Sequence, residues 1–288
     1  MEPLPTLAES GGSRQPPVAQ LCPHESYLSV GEQNIVKTDM KTYMETFDDG
    51  PGGWFGWIDN ARGPKPLERG ESTVTSRSPW WIDYNHAPPG AGYMHLLFML
   101  LTSGHPGENQ REVSGENHFT TGGFGTDFTN SELTLRLKGE LRALDTQLYL
   151  LVQGVHNGVC TGWILTDQPI KITPDWSEQC ITAVTDESAW TCLGSRHDRS
   201  EFYGRTPLKT VLSDVNVNIL LVLYPLDIVP MGPINGDRHL LRPEKDYPVW
   251  RGKLPEGYVT LDEVSIRFPG SPSGLTNPDE PDGVAANA

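Results

Sequence analysis

The chain has 288 residues, with 22 Lys and Arg against 37 Asp and Glu, so its formal net charge at pH 7 is −15. A surface of this charge repels a phosphate backbone, so we expect no nucleic-acid partner and no anionic membrane partner. The longest apolar stretch, Tyr93–Leu101, is less than half the length that a membrane-spanning helix needs. The full length of 288 residues fits one large domain or, as the less favoured alternative, two small ones.

Composition divides the chain into a folded body at 37–268 and two flexible tails, at 1–36 and 269–288, which are rich in Pro, Gly and Ser. The first ten residues contain neither the basic nor the apolar segment of a secretory signal, so we expect a cytoplasmic protein. The four cysteines form no CxxC pair, which agrees with reduced thiols. A Cys180–Cys192 disulfide is the alternative.

Short β-strand patterns recur along the body, and no long amphipathic helix interrupts them. Residues 133–138 alternate apolar and polar side chains, which predicts a strand with one solvated face. Residues 93–101, 147–153 and 215–224 are apolar on both faces, as in central strands or strands that line a ligand site. With 30 glycines and 25 prolines, the sequence predicts an all-β, two-sheet antiparallel β-sandwich.

The two ends of the body carry the most informative patterns. The segment at 43–50 reads Tyr-Met-Glu-Thr-Phe-Asp-Asp-Gly, and the segment at 257–268 reads Gly-Tyr-Val-Thr-Leu-Asp-Glu-Val-Ser-Ile-Arg-Phe. In the second segment the apolar alternation changes phase at Asp262 and Glu263. A phase change of this kind predicts a β-bulge, which would redirect a carboxylate.

These ends resemble the first and last strands of the galactose-binding-like and concanavalin A-like jelly rolls, which include many carbohydrate-binding modules. The resemblance implies a jelly-roll sandwich whose terminal strands pair in one sheet. It also implies a structural calcium ion held by Asp48 and Asp262, with Glu45 as a further ligand, and oxygen ligands of this type suit Ca²⁺. The alternative is that these acids are solvated residues at strand ends.

Aromatic side chains are dense in the segment 78–93, which we interpret as a loop ahead of a buried strand. Trp80, Trp81 and Tyr84 are candidates for stacking on a sugar, because a large ring covers C–H surface and leaves polar edges free. The alternative is that the tryptophans close the end of the sandwich.

Three residues are candidates for acid–base chemistry. Asp83 and His86 lie three positions apart in the same loop, and His118 lies near a glycine-rich turn. Asp127, after that turn, is a candidate ligand-binding residue, although it also fits an architectural role. His95 lies in an apolar run and is more simply a core histidine.

The sequence leaves two functional classes open, with a structural or interaction protein as a third. The first is a ligand-binding sandwich that recognises a saccharide or glycoside on an aromatic face. The second is an enzyme on the same scaffold, a lyase, isomerase, cyclase or hydrolase using Asp/His acid–base chemistry. The motifs of serine hydrolases, zinc proteases, P-loop proteins and dinucleotide-binding proteins are absent from the sequence.

Overall fold

A computed structural model of the chain describes residues 42–59, 63–83, 93–104, 107–194, 201–226 and 254–269. The predicted tails at 1–36 and 269–288 lie outside these ranges, except for residue 269. Among the described residues, no helix is both long enough and apolar enough to cross a membrane.

Fourteen strands, three short α-helices and a 3-10 helix at Glu187–Ala189 make up the described fold. The strands are β1 Thr42–Glu45, β2 Trp54–Asp59, β3 Gly63–Lys65, β4 Glu68–Gly70, β5 Thr73–Arg77, β6 Trp81–Asp83, β7 Tyr93–Leu101, β8 Glu132–Arg142, β9 Gln147–His156, β10 Val159–Leu165, β11 Ser177–Thr182, β12 Trp190–Cys192, β13 Asn218–Leu226 and β14 Glu256–Arg267. The helices are α1 Glu108–Ser114, α2 His118–Thr121 and α3 Leu208–Ser213.

The strands form two antiparallel sheets, which confirms the predicted all-β sandwich. The smaller, six-stranded sheet has the order β11-β8-β14-β5-β4, with β1 also paired to β14. The larger, eight-stranded sheet has the order β12-β10-β9-β13-β7-β2-β3, with β6 also paired to β7. The first and last strands of the body therefore pair, as the jelly-roll resemblance implies.

Strand β14 contains the predicted bulge. Its register with β8 shifts between Leu261 and Glu263, which leaves Asp262 as the extra residue. Before the shift β14 pairs with β5, and after it β14 pairs with β1. The bulge therefore lies where one neighbouring strand replaces another, and the Asp262 carboxylate pairs with Arg136.

Local sequence explains several of these elements. In β8, Leu133, Leu135 and Leu137 are buried and alternate with more exposed residues, as the period of two predicts. Strands β9 and β10 are joined by Asn157 and Gly158, which both have positive φ values. Two consecutive positive φ values are typical of the type I′ turn that suits a tight hairpin.

The main core lies between the two sheets. Buried side chains of β8 and β14 in the smaller sheet meet those of β7, β9 and β13 in the larger sheet, and the helix α3 adds Leu208, Val211 and Leu212. The residue Trp54 on β2 is fully buried in this core. A second apolar cluster lies on the other face of the larger sheet and is described below.

Candidate functional site

A buried carboxylate is paired with a histidine at the end of β1. Glu45 is only 4 % exposed, and one of its carboxylate oxygens lies 2.9 Å from Nδ1 of His118. The other oxygen accepts a hydrogen bond from the backbone N–H of Phe47 at 3.1 Å. An ionised carboxylate can only accept, so in this hydrogen bond Nδ1 of His118 is the donor, and in the neutral ring Nε2 is then an acceptor.

Two aromatic side chains extend this pair into the core. The Tyr43 hydroxyl lies 3.5 Å from the Glu45 carboxylate and accepts a hydrogen bond from the Trp54 indole N–H at 3.1 Å. Burial raises the pKa of Tyr43 well above its usual value, and the negative charge of Glu45 raises it further. Tyr43 therefore remains a neutral phenol that can donate to Glu45.

Backbone turns bring His118 to Glu45. Gly52 and Gly53, between β1 and β2, both have positive φ values, and the Gly52 carbonyl accepts from the backbone N–H of His118 at 3.1 Å. The Asn117 side chain accepts from two N–H groups in the first turn of α2 and fixes where that helix begins. The His118 side chain remains 40 % exposed, so its ring lies between the buried Glu45 carboxylate and solvent.

The second apolar cluster lies on the outer face of the larger sheet. Its members alternate with inter-sheet core residues along β7, β9, β10 and β13, as a period of two requires. They are Phe55, Trp81, Met94, Leu96, Met99, Tyr149, Leu151, Ile164, Leu193, Leu220, Val222 and Tyr224, with Trp57, Leu101 and Val113 at the margin. Each of the first twelve is at most 8 % exposed. We call this buried cluster the outer aromatic face.

Two side-chain amides interrupt the outer aromatic face. Asn218 on β13 lies directly opposite Gln153 on β9, and both are nine-tenths buried, with 6 % and 8 % exposure. The Asn218 Nδ2 group approaches the Met99 sulfur at 3.9 Å, and the Asn218 Oδ1 atom has no hydrogen-bond partner in the described part of the chain. We call these two residues the amide pair.

The two predicted sugar-stacking tryptophans lie on opposite faces of the larger sheet. Trp80 is buried in the inter-sheet core, where its indole N–H donates to Ser76 at 2.9 Å. Trp81 belongs to the outer aromatic face. The segment predicted as a loop at 78–93 contains the strand β6 at Trp81–Asp83. The buried position of Trp80 fits the alternative that it closes the sandwich.

The predicted acid–base residues are only partly described. His118 pairs with Glu45, a partner that the sequence had assigned to calcium. Asp83 ends β6, opposite Met94 on β7, but nothing is described of its side chain. Tyr84 and His86 lie outside the described residues, so the structure does not test whether they approach His118. Asp127 is exposed and accepts from the backbone N–H of Thr129, which is an architectural turn contact.

The three predicted calcium ligands have different partners. Asp48 accepts hydrogen bonds from Ser72 and Thr46, and both lower its pKa, Ser72 more than Thr46. Asp262 pairs with Arg136, and Glu45 pairs with His118. Among the described residues, no three His, Cys, Asp or Glu side chains form a group suited to a metal ion. Calcium binding at Asp48, Asp262 and Glu45 stays a prediction.

The cysteines do not form the bridge considered from the sequence. Cys160 and Cys192 form no disulfide, whereas Cys180 is disulfide-bonded, so Cys180 and Cys192 are not joined. Cys22, the remaining cysteine, lies outside the described residues. The bonded state of Cys180 gives no support to uniformly reduced thiols, and the cytoplasmic location stays a prediction.

A separate cleft of about 340 Å³ opens at one end of the sandwich. Apolar side chains such as Leu141, Leu148 and Ile172 line it, and Lys171 is its one charged residue. No aromatic ring lines this cleft, so it is less suited to stacking on a sugar than the outer aromatic face.

Sequence reasoning missed the amide pair, although a signal for it was present. Gln153 and Asn218 stand within two largely apolar runs, which also contain Gln147 and Asn216, and a buried polar residue in such a run needs a hydrogen-bond partner. Their pairing across β9 and β13 depends on strand order, which the sequence does not give.

Comparison with known proteins adds no assignment: no family model matches the chain, and no curated protein matches it.

Proposed function

We propose that this protein is a ligand-binding β-sandwich that holds a saccharide or glycoside against the outer aromatic face. One observation carries the proposal: an extended aromatic and apolar cluster, buried throughout, is interrupted by an amide pair that is itself buried. Sites that enclose small ligands are mostly apolar and contain a few well-placed polar groups. The outer aromatic face has this composition.

The chemistry of a sugar suits this surface. Aromatic rings such as Phe55, Trp81 and Tyr149 cover the C–H faces of a pyranose ring, while amides bond its hydroxyls. The net charge of −15 disfavours an anionic ligand. A neutral saccharide, or a glycoside with an apolar aglycone, is therefore the ligand class that we propose.

Two neighbouring tryptophans provide a matched test of this face. We expect Trp81→Phe to weaken saccharide binding about tenfold, because it replaces an indole on the outer aromatic face with the smaller phenyl ring. Trp80→Phe changes the same residue type one position earlier but on the inner face, and we expect an unchanged Kd. Titration calorimetry with a panel of neutral oligosaccharides and aryl glycosides measures both.

Equal losses for the two variants would show that binding depends on general stability rather than on this face. Failure of the wild-type protein to bind any member of the panel would overturn the proposal. Thermal unfolding of each variant, measured beside the titrations, shows whether the protein remains folded at the titration temperature.

The Glu45–His118 pair favours a second candidate, an acid–base enzyme acting on a sugar-like or glycosidic substrate. A buried carboxylate that fixes the tautomer of a partly exposed imidazole is the arrangement by which many enzymes orient a general base. In this role Nε2 of His118 would take or give the proton, and Glu45 would stabilise the protonated ring.

The enzyme candidate predicts a specific loss of turnover. We expect His118→Gln to lower kcat about a hundredfold for any substrate found by product analysis of the same panel, because glutamine cannot transfer the proton. His156→Gln replaces a partly buried histidine on β9 and should leave kcat unchanged. Equal kcat values for wild type and His118→Gln would exclude His118 as the acid or base.

A further inference from the structure

We infer that the amide pair, Gln153 and Asn218, binds two neighbouring hydroxyl groups of the ligand and so selects polyhydroxylated compounds. This inference rests on the proposed function, since it places the polar contact within the outer aromatic face. It adds the residues that determine specificity and the chemical group that they recognise.

The position of the amide pair sets it apart from ordinary polar residues. The two residues face each other across adjacent antiparallel strands, where opposite Cβ atoms lie about 5 Å apart. Leu151 and Leu220, two residues away along each strand, belong to the same apolar face. The amides therefore lie where the apolar face ends, since Asn218 is the first residue of β13.

Nearby Asn216 shows what a structural asparagine looks like in this fold. Its Oδ1 atom accepts from the Val155 N–H at 2.8 Å, and its Nδ2 group donates to the Val155 carbonyl and to Asp214. Asn218, by contrast, has a thioether sulfur beside Nδ2 and no partner in the described residues for Oδ1. A buried acceptor without a partner lowers stability, and a bound hydroxyl group would supply the missing donor.

A glycine on the neighbouring strand makes room for the Gln153 side chain. Gly162 on β10 lies opposite Gln153, and a Cβ added there would come within 3.3 Å of the Gln153 Nε2 atom and 2.9 Å of Leu193. The missing side chain leaves Gln153 its place on the sheet. Each amide offers both a donor and an acceptor, which matches a hydroxyl group, whereas an ionic ligand would find no charged partner in the pair.

Stability and binding should change in opposite directions when the amide is removed. We expect Asn218→Leu to raise the Tm of the ligand-free protein by about 2 °C or more, because an unpaired buried acceptor becomes apolar surface. The matched variant Asn216→Leu should lower the Tm, because it breaks three hydrogen bonds. A fall in Tm for Asn218→Leu as large as that for Asn216→Leu would show that Asn218 is structural, and would overturn the inference.

The binding measurement uses neutral oligosaccharides from the same panel together with their monodeoxy derivatives. We expect Asn218→Leu to weaken binding of the hydroxylated compounds at least tenfold and to remove the preference over the deoxy compounds. Binding that survives unchanged in Asn218→Leu would overturn the inference and leave the proposed function standing. No binding by the wild-type protein would overturn the proposed function itself.

Discussion

Gly52→Ala should lower the free energy of unfolding by about 3 kcal/mol or more, the largest effect of any substitution considered for this protein. A Cβ at Gly52 would lie 1.8 Å from the Glu45 Oε2 atom and 2.3 Å from its Cδ atom. The carboxylate cannot move away without losing His118 and the Phe47 N–H. The φ value of +58° adds strain for any residue with a Cβ.

Gly63→Ala is the matched control. Gly63 also has a positive φ, of +76°, but no atom lies within 4 Å of the position of its Cβ. It should therefore cost only the backbone strain, about 1 kcal/mol. Urea unfolding of both variants measures the difference in the free energy of unfolding. Similar losses would mean that the Glu45 carboxylate moves freely and does not hold His118 in place.

The alternation of apolar residues made much of the fold predictable. The period of two in 133–138 is a local property, because side chains of a strand point alternately to its two faces, and β8 follows it. The phase change at Asp262 and Glu263 likewise predicted a bulge that the structure contains. The resemblance to jelly rolls added the pairing of β1 with β14.

Partners across the fold were not predictable in the same way. Glu45 and His118 are separated by 73 positions, and the sequence gives no sign that the turn at Gly52 carries one to the other. The sequence therefore suggests Glu45 as a calcium ligand and His118 as an acid–base residue, with no link between them. The pairing of Gln153 with Asn218 likewise depends on β9 and β13 being neighbours in the larger sheet.

The tryptophans show a limit of a different kind. The sequence predicts a loop at 78–93 and groups Trp80 and Trp81 with Tyr84, because adjacent side chains of a loop can point the same way. Since β6 begins at Trp81 and pairs with Leu96 on β7, the two rings lie on opposite faces of the sheet. Recognising this short strand would have separated a core residue from a ligand-binding candidate.

His95 should make the protein unstable in acid. It lies on β7 facing the inter-sheet core, 1 % exposed, where its Nδ1 lies 3.3 Å from the Trp81 carbonyl and its ring packs on Trp80. Its Nε2 atom is buried without a partner in the described part of the chain. Burial lowers the pKa of His95 to about 4, and the bond to the Trp81 carbonyl offsets only part of that effect.

Because the folded pKa lies below the usual value of 6.5, the unfolded chain binds a proton more readily than the folded one. The contribution of His95 to stability is therefore complete above pH 6.5 and decreases as the pH falls towards 4. A difference of this size corresponds to about 3 kcal/mol. Urea unfolding at several pH values between 7.5 and 4 measures the loss.

The variant His95→Leu separates this effect from the protonation of carboxylates, which also weakens proteins in acid. It replaces the titrating ring with an apolar side chain in the core. We therefore expect the stability of the variant to decline less between pH 6.5 and 4 than that of the wild type. The variant should start from a lower stability at neutral pH, because the Trp81 carbonyl loses its donor. Parallel pH profiles for the two proteins would show that the acid sensitivity arises elsewhere in the fold.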